Sequence, residues 1–270
     1  MSVGLLEKLQ GLSMILVGIF VVGLFAGFVD AIAGGGGLIM LPGLLFTGLP
    51  VGSAIATNKL CGTSGALTST LKFAHAKQID WRACGLMGIP AVVGAYLGSR
   101  SMGKLPNTWA EPIVIALMVA ITLFVLIKPS FGLSPADDSH TTPKTLSLKA
   151  GLIGVSAGFC IGFHDGFFGP GTGVFLVFAL LSLWSLDFLK GTGTTKVINL
   201  MTNCTALVTF AALGNIDYGK GIAGAIGLGI GSFVGATFAT KKGARLIKPI
   251  FIAVTIALIA KLLFDYVSNQ

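Results

Sequence analysis

Two lysines stand inside apolar sequence, Lys59 in Ala-Thr-Asn-Lys-Leu and Lys196 in Gly-Thr-Thr-Lys-Val, each about one turn into an apolar stretch. An ammonium group at membrane depth is expensive and marks a functional position by default. The competing reading is a side chain that snorkels from a helix end to the headgroups. Thr57, Asn58, Thr194, Thr195 and Asn199 place neutral hydrogen-bonding groups around the two lysines. One cation with several donors is what a small oxyanion needs once its water shell is removed. Asp30 and Asp165 each fall near the end of an apolar run. They read as charge partners of Lys59 or Lys196, as proton carriers, or as plain helix-end carboxylates. His164 stands beside Asp165; a lone histidine more often packs, and the alternative is a proton-linked group.

A glycine cluster follows each aspartate. The first is Gly34, Gly35, Gly36 and Gly37; the second is Gly169-Pro170-Gly171-Thr172-Gly173. Without a Cβ, successive N–H groups can converge on one concavity, and a helix starting there adds partial positive charge. Both clusters are therefore candidate anion-binding bends. The alternative is that glycine only permits close helix crossing, which is the expected role of Gly94/Gly98 and Gly231/Gly235. No Gly-Lys-Ser/Thr follows either cluster and no strand precedes one, which excludes a Walker loop and a dinucleotide fingerprint. The sequence shows no Ser/His pair at helical spacing, no His-Glu-x-x-His and no metal-ligand cluster. An enzyme is therefore not expected, nor a cofactor or a bound metal.

The elements that must position these residues follow from composition. The chain is 54% hydrophobic and only 10% charged, against about 25% charged in soluble domains, with a mean hydropathy of +0.90. Such a chain requires lipid as its solvent. The net charge of +8 reads as loop bias toward the cytoplasm. A nucleic-acid partner would need a basic, aromatic-interleaved face, and none is present. Cys61, Cys84, Cys160 and Cys204 all lie in apolar stretches and read as buried thiols.

Apolar segments come in two sets of five, near 12–33, 37–49, 52–74, 83–102 and 110–127, then 148–168, 172–186, 193–213, 221–240 and 249–266. A polar stretch rich in Pro, Ser, Thr and Asp separates the sets. The sets repeat: Gly27-Phe28-x-Asp30 returns 135 positions on as Gly162-Phe163-x-Asp165, and Thr57-x-Lys59 returns 137 positions on as Thr194-x-Lys196. Ile79-Asp80-Trp81 returns as Ile216-Asp217-Tyr218, aspartate–aromatic pairs that read as interfacial anchors. The second segment of each half is too short to span a bilayer, so the chain is expected to turn back inside the membrane at each glycine cluster.

The expected architecture is an all-α polytopic membrane protein of about 8–10 membrane segments, short re-entrant or broken helices included. Its two homologous halves, 12–127 and 148–266, flank a linker at 128–147. Five passes per half, or a re-entrant pair plus three, invert the second copy. The lysine and arginine distribution favours that inversion, with both termini outside the cytoplasm.

The run Gly27-Phe28-Val29-Asp30-Ala31-Ile32-Ala33-Gly34-Gly35-Gly36-Gly37, with Pro42 and Ala56-Thr57-Asn58-Lys59, resembles the first-half motif of the TauE/SafE family of sulfite-exporter-type permeases. Asp165-Gly166-Phe167-Phe168-Gly169-Pro170-Gly171-Thr172-Gly173 is similar to its second-half motif. The resemblance covers nearly the whole chain apart from the linker. It implies a bacterial inner-membrane permease, usually an exporter, for sulfite or small organosulfur anions. The expected partners are a small anionic substrate and the bilayer, and assembly as a homo-oligomer is left open. An anion channel, or a carrier of another small organic anion, is the competing expectation.

Overall fold

A computed structural model describes residues 3–106, 108–109, 113, 148–184 and 186–242. The linker at 128–147, nearly all of 110–127 and all of 249–266 lie outside the described residues. Among those described there are eight α-helices and no strand: α1 (Val3–Ala33), α2 (Gly36–Leu45), α3 (Val51–His75), α4 (Trp81–Gly103), α5 (Leu148–Phe167), α6 (Thr172–Trp184), α7 (Phe188–Ala212) and α8 (Tyr218–Lys242).

Local chemistry sets the helix starts. Asp80 accepts the N–H groups of Arg82 and Ala83, each at 3.0 Å, and opens α4. Asp187 accepts Lys190 N–H at 2.9 Å and opens α7. Asp217 accepts Lys220 N–H at 3.0 Å at the start of α8. These are N-caps, which satisfy donors that a first helical turn leaves over. Asp80 and Asp217 therefore do more than anchor an interface, although their neighbours Trp81 and Tyr218 are exposed as anchors would be. The cap at Asp187 starts α7 five residues ahead of the segment boundary expected from hydropathy. Lys196 consequently lies about two turns inside its helix, as Lys59 does in α3.

Polarity is distributed inside out. Met14, Val17, Val21 and Phe25 on α1 and Ile222, Ile226 and Ile230 on α8 are exposed, while Thr57, Asn58, Lys59, Thr194, Thr195 and Lys196 are buried. Soluble proteins almost never bury lysine fully unless it is paired, and rarely expose whole apolar faces. In lipid the pattern is the stable one. Gln10–Ala33 and Tyr218–Lys241 are long and apolar enough to cross a bilayer. With 10 and 13 residues, α2 and α6 reach only about 15–20 Å of the roughly 30 Å core. Cys61 and Cys84 are buried; Cys160 and Cys204 are exposed on outer faces, contrary to the expectation of four buried thiols.

Helix pairing exchanges between the halves. α1 packs along α8 and α4 along α5; α3 and α7 form a central pair, α3 also against α8 and α7 also against α4. The outer pairs close on glycine. A Cβ at Gly94 would lie 2.6 Å from Phe163 N, and one at Gly235 would lie 2.6 Å from Phe28 O. Gly98 and Gly231 meet α5 and α1 in the same way, so these four residues serve close crossing, as expected. The ends of the central helices are tied symmetrically as well. Asp80 N–H donates to Thr194 Oγ1 at 2.9 Å, and Asp217 N–H donates to Thr57 Oγ1 at 3.0 Å. The α3–α4 turn thus sits beside the start of α7, and the α7–α8 turn beside the start of α3.

Candidate substrate site

Each half supplies one bend. α1 stops at Ala33, and Gly34 turns the chain at φ +70°, its N–H donating to Asp30 O at 2.8 Å. Residues with a Cβ seldom adopt that conformation. α2 then begins at Gly36, whose N–H donates to Asp30 Oδ1 at 3.2 Å. In the second half Gly169 takes φ +98°, and its carbonyl accepts the Thr172 hydroxyl at 2.7 Å as α6 begins. The bends touch: a Cβ on Gly34 would stand 2.8 Å from Gly173 Cα. Only glycine at both places allows the two backbones to meet.

The central helices deliver a lysine to each bend, but to the bend of the other half. Lys59 Nζ on α3 donates to Asp165 Oδ1 on α5 at 2.9 Å, with side chains 1% and 4% exposed. Lys196 Nζ on α7 donates to Asp30 Oδ2 on α1 at 2.9 Å, with side chains 0% and 17% exposed, and also to the Asp30 carbonyl. Snorkelling is excluded at this burial. Of the three readings of the aspartates, the geometry realises the charge partner. Each ammonium thus faces a carboxylate from the other half of the chain. Unpaired, a charge this deep would be untenable.

A cavity of about 40 Å³ opens between the bends, enough for very few water molecules. Of the candidate residues, Asp30, Gly34, Gly36, Gly37, Asn58, Lys59, Asp165, Gly169, Gly171, Thr172, Gly173 and Asn199 line it. Gly35, Thr57, Thr194, Thr195 and Lys196 do not. Thr57 and Thr194 are spent on the turns described above, and Thr194 also donates to Lys190 O at 2.7 Å. Gly35 instead caps α2, and Lys196 lies behind Asp30.

Asn203, Gly62, Ala66 and Leu228 complete the wall and are not evident from motifs. The repeat holds the signal for three of them. Asn199 and Asn203 lie four residues apart on one face of α7, and 137 positions earlier α3 carries Gly62 and Ala66. One copy supplies amides where the other supplies space.

His164 lies off the cavity wall. Its ring stands edge-on to Phe168 and Phe175, at centroid distances of 5.8 and 5.5 Å. Nδ1 is 3.2 Å from Thr172 Oγ1. That hydroxyl spends its hydrogen on Gly169 O, so Nδ1 carries the ring hydrogen in the neutral imidazole. Nε2 is then a bare, buried acceptor without a partner among the described residues.

Residues 19–262 match the family described as "Sulfite exporter TauE/SafE". A "Probable membrane transporter protein ORF9" of Sinorhizobium sp is 35% identical over 247 residues, covering 92% of each chain. "Probable membrane transporter protein YfcA" of Escherichia coli K12 is 32% identical over 254 residues, 94% of this chain and 91% of that one. A "Probable membrane transporter protein" of Haemophilus influenzae is 34% identical over 247 residues, 92% of this chain and 94% of its own. No solved structure matches. A buried polar site inside an apolar bundle, together with these relatives over nearly its full length, places the chain in the TauE/SafE sulfite exporter family of membrane transporters.

Proposed function

We propose that this transporter carries a small sulfur oxyanion, sulfite or an organosulfonate, outward across the bacterial inner membrane by alternating access. The substrate displaces Asp165 from Lys59 and is held by that ammonium, by the amides of Asn58, Asn199 and Asn203, and by backbone N–H groups at the two bends. The observation that carries this reading is a pair of fully buried lysines brought to two glycine bends by opposite halves of the chain. Buried ammonium groups and converging donors suit an anion with several acceptor oxygens.

The halves, 12–127 and 148–266 about the linker 128–147, act in this reading as inverted repeats. The exchange of helix pairs, ion pairs and turn contacts between them supports it, as do discontinuous helices meeting at the repeat interface. Both termini then lie outside the cytoplasm. A carrier is favoured over a channel because ion pairs and touching bends close the centre.

The test is ligand-induced stabilisation of the purified full-length protein by sulfite, thiosulfate, sulfoacetate, taurine and sulfate. A bound anion at a hundred times its Kd adds about 2.7 kcal/mol of stability. Stabilisation of wild type but not of folded Lys59→Ala is the expected result. No stabilisation by any of the five, or equal stabilisation of Lys59→Ala, overturns the reading.

A further inference from the structure

The two ion pairs occupy equivalent places in the repeat but are not equally engaged. Asp30 is saturated: Oδ1 accepts Gly36 N–H, and Oδ2 accepts Lys196, which also grips the Asp30 carbonyl. Lys196 stands off the cavity wall. Asp165 is half used. Oδ1 accepts Lys59, while the buried Oδ2 has no partner among the described residues. Lys59 lies on the wall, where a Cβ at Gly169 would come within 2.8 Å of Nζ, so the missing side chain leaves the ammonium approachable. The amides of Asn199 and Asn203 line the same cavity.

We infer that anion binding at Lys59 is coupled to uptake of one proton by Asp165, while the Lys196–Asp30 pair stays closed as a clasp between the halves. This rests on the anion reading above. The charge count requires the coupling. Before binding, two ammonium groups balance two carboxylates; a monovalent anion adds a negative charge that no described residue lining the cavity neutralises. If a proton from water forms an O–H bond on Asp165 Oδ2, Asp165 becomes neutral and releases Lys59. Lys59 keeps its own protons and pairs with the anion, and the buried sum returns to zero. A buried site strongly disfavours the uncompensated alternative.

Among the described residues, the groups facing Asp165 are few. α3 brings Lys59, α1 brings Asp30, and α7 brings Lys196 to Asp30. α4 meets α5 through Ala91 and Ala95 at Gly162 and Gly166, and α6 contributes Thr172. His164, on the same helix, offers Nε2 as the rival acceptor, but it lies outside the cavity between phenyl rings.

Proton uptake is read with an indicator dye in weakly buffered solutions of the purified full-length protein. Methanesulfonate is the probe, because its charge does not change across the neutral range. About one proton enters per anion bound, and affinity weakens roughly tenfold per pH unit as pH rises. Asp165→Asn abolishes uptake and flattens the pH profile, whereas His164→Gln keeps the uptake. If Asp165→Asn does not fold, wild type reports directly through a carboxylic-acid C=O band that appears in the infrared difference spectrum on adding the probe. Binding with no uptake and a flat profile overturns the coupling and leaves the anion site standing. Uptake that survives in folded Asp165→Asn, or disappears in His164→Gln, overturns the assignment to Asp165. Failure of wild type to bind either methanesulfonate or sulfite removes the anion reading and the coupling together.

Discussion

Replacing Lys196 by methionine removes one charge from a buried pair and strands the other. At the 2.9 Å separation of Nζ and Asp30 Oδ2, Coulomb's law at an effective dielectric of about 20 gives roughly 6 kcal/mol. Part of that is recovered. Asp30 is 17% exposed and keeps the Gly36 N–H, and its carbonyl keeps the Gly34 N–H. The net loss then falls near 3 kcal/mol, the lower edge for breaking a buried pair from one side. For a chain of this size that is a fall of about 6–12 °C in apparent melting temperature. The assay is the fraction of monodisperse protein left after heating in detergent, followed by size-exclusion chromatography. Adding Asp30→Asn to Lys196→Met removes the stranded charge and leaves an amide that still accepts from Gly36, so most of the loss returns. A double variant as unstable as the single one, or a single variant as stable as wild type, refutes the reasoning.

Gly34→Ala costs about 1–2 kcal/mol for the left-handed conformation alone, and more because its Cβ meets Gly173 at 2.8 Å. Gly48→Ala, at φ +78° with nothing within 4 Å, carries the first cost only, so the gap between their melting temperatures measures the contact of the bends. Thr57→Val and Thr194→Val each remove the acceptor of a turn N–H and lower stability by about 1–2 kcal/mol, while folded protein keeps its anion affinity in the binding assay. In a cysteine-free background, Gln78→Cys and Asn215→Cys react with a membrane-impermeant maleimide from opposite sides of the membrane; labelling of both from one side contradicts the inverted repeat.

Much of the site is legible in the sequence because lipid makes certain residues conspicuous. Lysine, aspartate and clustered glycine inside apolar runs need a reason, and each of the three leads to the cavity. The pairing of Lys59 with Asp165, and of Lys196 with Asp30, is not legible, because it depends on which helices meet across the two halves. Thr57 and Thr194 mislead for a related reason: a hydroxyl that accepts from a turn looks, in sequence, like one that binds a ligand. The start of α7 is obscured because Asp187 caps a helix whose first turns carry Lys190, Thr192 and glycine and so read as polar. Asn203 escapes notice because no motif contains it and its repeat partner is the small Ala66.

The crossed ion pairs bear on how the protein comes to be assembled. A first half expressed on its own would fold around Lys59 and Asp30 with each deprived of its native counter-ion, and the second half would fare likewise with Lys196 and Asp165. Two copies of either half, however, could satisfy each other, since each would offer one ammonium and one carboxylate in the matching positions. The reciprocal wiring leaves each half incomplete without the other: neither buried ammonium meets its carboxylate until helices from both halves have come together.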